Sequence, residues 1–249
     1  MIKQFKNGVM YLGDAQKILS ALTSNIAHIA ITSPPYNLNK THTKGTTTKT
    51  SQTMTTKFNN WYFDDKPEWI YQGEQANIIH QLMRVCASSV FYNHKIRYAW
   101  HNRNTYKNMN RIYHPMHWLY HFPIWCEIIW DRCGIGNPTS RYHNQTEKIY
   151  QIGKPKKWNN KNGLTNIWRI PPTKNTMHPC SFPKKLVENC MLPTTDEGDT
   201  IIDPFAGVGT VAICAIKHNR RFIGIEQNKE YFNVACKKIY ELERQTKLF

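Results

Sequence analysis

Apolar positions fall into short continuous runs separated by stretches of helical spacing, which predicts alternating strands and helices. Val9 to Leu12 predicts a strand ended by Gly13 and Asp14, followed by a helix with Ile18, Leu19 and Leu22 on one face. Ile26 to Ile31 is nearly all apolar and predicts a buried strand. It stops at Ser33-Pro34-Pro35, because two prolines exclude both helix and ladder. A helical pattern then runs from Pro67 to Val85, and Ser88 to Asn93, Pro123 to Trp130 and Glu147 to Ile152 predict strands. In the last third, Pro183 opens a helix with Leu186, Val187, Cys190 and Met191 on one face. Thr200 to Asp203 predicts a strand, Val208 to Asn219 a helix and Arg221 to Glu226 a strand. Tyr231, Phe232, Ala235, Cys236, Ile239 and Leu242 then mark a final helix. Strands alternating with helices imply an α/β fold with a doubly wound, mostly parallel sheet.

Two stretches depart from this pattern. Lys40 to Lys57 is almost entirely Thr and Lys with no acidic residue, so it cannot contribute to a core and is expected to be a mobile basic insertion. Either an inert surface loop or a nucleic-acid contact suits it. Between Arg97 and Tyr120, aromatic residues alternate with Arg, Lys and His. Charge gives both stretches a context: 33 Lys and Arg against 17 Asp and Glu make the formal net charge +16, which suits a polyanionic partner. The 7 cysteines contain no CxxC pair, so they predict reduced thiols without a zinc site or a disulfide framework. No signal-peptide core or membrane-length apolar run is present, and a cytoplasmic protein is expected. The 249 residues suit one compact domain with insertions.

The segment DPFAGVGT, Asp203 to Thr210, joins a predicted strand to a predicted helix, and Gly207 and Gly209 allow a tight turn beside a ligand. Glu226 ends the following strand, where a carboxylate can accept both hydroxyl hydrogens of a ribose. The three-glycine GxGxxG pattern and the Walker lysine are both absent, which disfavours pyrophosphate. S-adenosylmethionine has ribose and adenine but no phosphate, and so fits this loop.

The segment TSPPY, Thr32 to Tyr36, lies at the carboxyl end of a predicted buried strand, the edge of an open sheet where ligands bind. An exocyclic amino group of cytosine or adenine is a poor nucleophile because its lone pair is delocalised into the ring. Two acceptors facing its hydrogens localise that pair toward a methyl donor. Ser33 Oγ and the Pro34 carbonyl suit that task, and the Pro34-Pro35 pair holds the carbonyl rigidly. Tyr36 would stack on the base, which has to leave the duplex before its amino group can be reached.

Together, TSPPYN, DPFAGVGT and HPCSFPKKL (His178 to Leu186) resemble the amino-methyltransferases of DNA modification. Because the catalytic motif precedes the glycine motif, the order is similar to that of the circularly permuted beta group. GDA at Gly13, IIWD at Ile128, RYHNQTEKIYQIGK at Arg141 and NIWRIPP at Asn166 look like further blocks of that family. The resemblance implies a Rossmann-like S-adenosylmethionine-dependent methyltransferase fold. It implies a single domain over 1–249, with a catalytic half at 1–154 that carries the 40–57 insertion, a connecting segment at 155–177 and a cofactor half at 178–249. It further implies cofactor contacts from Asp14, Thr32, Ser181, Phe182, Asp203, Phe205, Gly207, Gly209, Thr210 and Glu226, and no metal. Ser before the two prolines mostly accompanies cytosine-N4 methylation in the family, whereas Asp accompanies adenine-N6. Ser33 therefore points to cytosine, with adenine as the alternative. DNA is the implied substrate, and a companion restriction endonuclease is implied as a partner.

One departure concerns target reading. Beta-group enzymes usually place it before the HPxxxP block, but 155–177 is too short for a recognition domain. The 40–57 insertion and the 97–120 segment are the expected substitutes. Cys180 after Pro179 suggests cytosine-C5 chemistry, yet its place inside the HPxxxP block favours a packing residue on the cofactor side. Rival functions are methylation of RNA or of a protein glutamine, and a catalytically silent DNA-binding module. Ser33 rather than Asn speaks against the glutamine reading. The presence of both half-sites speaks against the silent module.

Overall fold

The computed structural model describes residues 1–37, 66–99, 111–134, 142, 144–161, 163–173 and 183–245. Its first half contains β1 (Ile2–Phe5), β2 (Gly8–Leu12), α1 (Ala15–Ala21), β3 (Ile29–Thr32), α2 (Glu68–Val85) and β4 (Val90–His94). Then come β5 (Arg97–Ala99), β6 (Arg111–Tyr113), α3 (Met116–Leu119), β7 (Ile124–Asp131), β8 (Thr146–Ile152) and β9 (Ile167–Arg169). The chain continues through α4 (Lys184–Met191), β10 (Thr200–Asp203), α5 (Thr210–Lys217), β11 (Arg221–Glu226) and α6 (Lys229–Gln245).

Nine strands form one sheet in the order β1-β2-β11-β10-β3-β4-β8-β7-β9. The run from β2 to β4 is parallel throughout, while β1, β8 and β7 add antiparallel pairings toward the edges. From β3 the chain passes through α2 to β4 on one side; from β10 it passes through α5 to β11 on the other. The strand order therefore reverses between β3 and β10. A crevice opens at such a point beyond the carboxyl ends of the strands, and both predicted motifs leave the sheet there.

Side chains alternate across the sheet with a period of two. Ile29, Ile31, Ile201 and Phe222 pack with Leu186, Val187, Val211 and Phe232 from α4, α5 and α6. Ala30, Tyr92, Ile202 and Ile225 pack with Leu19, Ile78, Ile79 and Leu82 from α1 and α2. Each fully buried aliphatic side chain contributes roughly 1.5–3 kcal/mol relative to exposure. Because both faces are covered, the central strands read as continuous apolar runs.

The strand expected from Ile26 begins at Ile29 instead: Ile26 is exposed, and Asn25 turns the chain with a φ of 58°. Neither β1 nor β9 was foreseeable from apolar pattern, since both are short edge strands with mostly exposed residues. The 97–120 stretch needs a correction. Arg97 is buried, ion-paired with Glu68, and lies over the rings of Tyr71, Tyr113 and Trp118. Trp118 and Leu119 are buried as well, whereas Tyr120 is exposed. Arg97 and Trp118 thus hold α2, α3 and the β5–β6 pair together and do not present a nucleic-acid surface. The 40–57 insertion lies outside the described residues.

Candidate active site

The two motifs meet directly. Thr32 Oγ1, at the end of β3, donates to Asp203 Oδ1, at the end of β10, over 3.0 Å, and both residues are buried. The same carboxylate oxygen accepts the Phe205 N–H at 3.0 Å, which starts the turn of the loop. Gly207 and Gly209 have φ values of 52° and 84°, conformations that suit glycine. A Cβ at Gly209 would come within 3.1 Å of Ala235 Cβ, so glycine there lets α5 pack closely on α6. Thr210 opens α5.

Glu226 closes the other side. Its Oε2 accepts the Gly207 N–H at 2.7 Å and its Oε1 accepts the Asn228 N–H at 2.7 Å. Each carboxylate oxygen keeps a further lone pair, which is what a ribose diol requires. Burial raises the Glu226 carboxyl above its ordinary value, against the backbone N–H bonds that lower it. Burial likewise pushes Asp203 up to about 7; bonds from Phe205 and Thr32 oppose this and the nearby Glu226 adds to it. Among the described residues, neither carboxylate is hydrogen-bonded to Lys or Arg. Two under-neutralised buried carboxylates beside a glycine turn fit a cofactor that carries positive charge and a ribose. Asp14 lies just past Gly13, whose N–H donates to the Glu226 carbonyl at 2.9 Å. Its own side chain is exposed and caps α1 through Lys17 N at 2.9 Å. His178, Cys180, Ser181 and Phe182 are outside the described residues; Pro183 caps α4.

On the acceptor side, Ser33 Oγ is 2.9 Å from Tyr36 Oη and donates to Asn93 Oδ1 at 3.2 Å. Tyr36 Oη donates to Asn93 Oδ1 at 2.5 Å and to Glu147 Oε2 at 3.1 Å. Asn93 is held by its Nδ2, which donates to the Lys148 carbonyl at 3.0 Å, so its oxygen is turned toward both hydroxyls. Glu147 is in turn ion-paired with Arg132 at 3.1 Å. Behind the prolines, the Tyr71 hydroxyl donates to the Pro35 carbonyl at 2.9 Å and stands 2.7 Å from His94 Nε2. Burial holds His94 far below its ordinary pKa, so the ring is neutral. Its ring centroid is 4.5 Å from that of Tyr36, and Lys95 Nζ lies 5.4 Å from the Tyr36 centroid. A base stacking on Tyr36 therefore meets the Lys95 ammonium at the ring.

Asn37 has a left-handed φ of 53° and turns the chain away from the site. Its side chain clamps Lys66 by two bonds, Nδ2 to the carbonyl at 2.9 Å and Oδ1 from the N–H at 2.8 Å.

The structure thus brings Thr32, Ser33, Pro34, Pro35, Tyr36, Asp203, Phe205, Gly207 and Glu226 to one sheet edge. Asn93, Tyr71, His94, Arg132 and Glu147 join them without having been singled out in the sequence. The signal for Asn93 and His94 was their polarity at the end of the apolar run SSVFYN, which places polar groups at the same edge as Ser33.

The Asp203 carboxyl predicts a pH dependence. In the free protein it takes up a proton as pH falls through about 7, and a bound cation favours the ionised form. Cofactor affinity is therefore expected to be flat above about pH 7 and to weaken below it, with a proton released on binding. Calorimetry in buffers of different ionisation enthalpy measures that release, and Asp203→Asn should abolish it. The corresponding effect on stability has the opposite sign. Because the folded state holds this proton above the ordinary value of 3.8, the free protein loses stability as pH rises from about 4 to about 7.

A family model described as DNA methylase, covering N6 and N4 enzymes, matches residues 27–237. The Type II methyltransferase M.BglII of Bacillus subtilis is 27% identical over 278 aligned positions, which cover 94% of this chain and 69% of that protein. Two solved structures share the fold. The cytosine-N4-specific PvuII DNA methyltransferase superposes with a TM-score of 0.70 at 15% identity, covering 97% of this chain and 93% of that one. A DNA modification methylase of Thermus thermophilus, TTHA0409, solved in complex with S-adenosyl-L-methionine, gives 0.66 at 20% identity, covering 94% and 93%. With its catalytic turn and glycine loop joined at the switch point and the family model spanning both, the chain belongs to the S-adenosylmethionine-dependent N6/N4 DNA methylases.

Proposed function

We propose that the protein methylates the exocyclic N4 of cytosine in a base turned out of duplex DNA. The observation that carries this reading is Ser33. Its hydroxyl hydrogen has acceptors in Asn93 Oδ1 and Tyr36 Oη, which leaves oxygen lone pairs to accept a hydrogen from the target amino group. The Pro34 carbonyl is the second acceptor, Pro35 stiffens the turn, and Tyr36 stacks on the base. Ser at this position accompanies cytosine in the family, and the cytosine-N4 specificity of the PvuII enzyme is in keeping with that. Adenine-N6 is the second reading, because the matching family covers both chemistries.

S-adenosylmethionine supplies the methyl group. Glu226 receives its ribose, Asp203 faces its positive charge, Thr32, Phe205, Gly207, Gly209 and Thr210 shape its loop, and Asp14 lies toward its adenine. Ser181 and Phe182 close over its methionine end. The chain acts as one domain, and DNA is read through the 40–57 insertion and the exposed part of the 97–120 segment. The Type II character of the M.BglII relative supports a companion restriction endonuclease.

The test is incubation with plasmid DNA and labelled cofactor, digestion to nucleosides and mass spectrometry. N4-methylcytosine is expected as the product. N6-methyladenine alone would overturn the choice of base and leave the family intact.

A further inference from the structure

Methyl transfer to an amino group creates a problem that the two acceptors do not solve. The new N–C bond forms as the S–C bond of the donor breaks, and the nitrogen is left cationic with one hydrogen too many. That proton has to go to a base. Ser33 cannot keep it, since a protonated hydroxyl is a strong acid, and the Pro34 carbonyl is no better.

We infer that Glu147 is the final acceptor of this proton, reached through the hydroxyls of Ser33 and Tyr36. The inference rests on the reading of Ser33 as the acceptor of the target amino group. The path has two links. Ser33 Oγ is 2.9 Å from Tyr36 Oη, and Tyr36 Oη donates to Glu147 Oε2 at 3.1 Å. As the amino nitrogen gives its proton to Ser33 Oγ, the Ser33 proton passes to Tyr36 Oη and the Tyr36 proton passes to Glu147 Oε2. Both hydroxyls end neutral, the methylated amine ends neutral, and the carboxylate becomes a carboxylic acid.

Asn93 accepts from the same two hydroxyls, but a carboxamide does not hold a proton near neutral pH. It aligns the rotors and cannot replace the base. Asp203 is bonded to Thr32 and to the Phe205 N–H on the cofactor side of the crevice. Glu147 is buried, yet Arg132 Nη1 at 3.1 Å from Oε1 keeps the carboxylate balanced before the reaction. The other charged groups near it are Lys95, which lies over the Tyr36 ring, and Lys148, which is paired with Glu127. Arg132 on the far end of β7, Glu147 on β8 and Tyr36 on the catalytic turn converge because the carboxyl end of β7 and the amino end of β8 share the edge at which β3 ends.

The experiment compares single-turnover methylation by the wild type, Glu147→Gln, Tyr36→Phe and Ser33→Ala across pH, with cofactor affinity measured by calorimetry and thermal melting as the fold control. Glutamine preserves the bond from Tyr36 and the shape of the site but cannot take the proton. Glu147→Gln is expected to slow transfer by about 10²-fold, within the range for general acid–base groups, and to remove the fall of the wild-type rate toward acid pH. Tyr36→Phe, which cuts the path while leaving Glu147 in place, should do the same. Cofactor affinity should be unchanged in both. A Glu147→Gln enzyme with the wild-type rate would overturn the inference. So would a slowed one with the wild-type pH profile, which would make Glu147 a positioning residue only. If Ser33→Ala is inactive while Glu147→Gln is fully active, the relay fails and the reading of the site stands; if Ser33→Ala is active, that reading fails first.

Discussion

Ser33→Ala is expected to lower the single-turnover rate of methyl transfer by roughly 10²–10³-fold, with cofactor affinity and melting temperature unchanged. The size follows from losing one of two preorganised partners at the atom where charge changes, which elsewhere costs about 3–4 kcal/mol of transition-state stabilisation. The fold should not respond, because Tyr36 keeps its own bonds to Asn93 and Glu147 and Ser33 is only partly buried. The measurement is a rapid-quench time course with enzyme in excess over a short duplex. A wild-type rate in that variant would show that the Pro34 carbonyl alone suffices.

Glu226→Ala is expected to weaken S-adenosylmethionine binding by roughly 10²–10⁴-fold, since two hydrogen bonds to a charged acceptor are lost at about 1.5–3 kcal/mol each. Calorimetry reads it directly. This variant should also melt earlier than the wild type, because the Gly207 and Asn228 N–H groups lose their buried partner at about 1–3 kcal/mol each. Glu226→Gln separates the two effects. It keeps the bulk but turns one acceptor into an NH₂ group facing a backbone N–H, so binding should fall nearly as far while the melting temperature falls less. Retention of tight binding in both variants would remove Glu226 from the cofactor site.

How much of this was legible in the sequence depended on burial. The central strands announced themselves because both of their faces are covered, so Ile29 to Ile31 and Ile201 to Ile202 had to be apolar at every position. The edge strands β1 and β9 carry no such demand and left no pattern. Ser33 and Asp203 could be found because prolines and glycines punctuate the chain where it leaves the sheet. Glu147 could not, since its importance comes from an antiparallel partner, β7, that brings Arg132 beside it, and strand pairing is not written in local spacing. The same holds for Arg97. A basic residue among aromatics suggested a nucleic-acid surface, but Glu68, far away in the chain, turned it into an internal pair.

The double bond between Asn37 and Lys66 has a bearing on how such enzymes diversify. It joins the two ends of everything between them at one fixed point, directly after the catalytic turn and directly before α2. The entropy of closing a loop grows only slowly with its length, so what lies between can be lengthened or exchanged at little thermodynamic expense. Ser33 and Tyr36 do not feel such changes, because the staple bears them. Selection for new target sequences can thus act on this part of the chain as an exchangeable cassette while the chemistry stays fixed. Exchange of 38–65 between relatives, with Asn37 and Lys66 kept, is the natural way to retarget the enzyme in the laboratory.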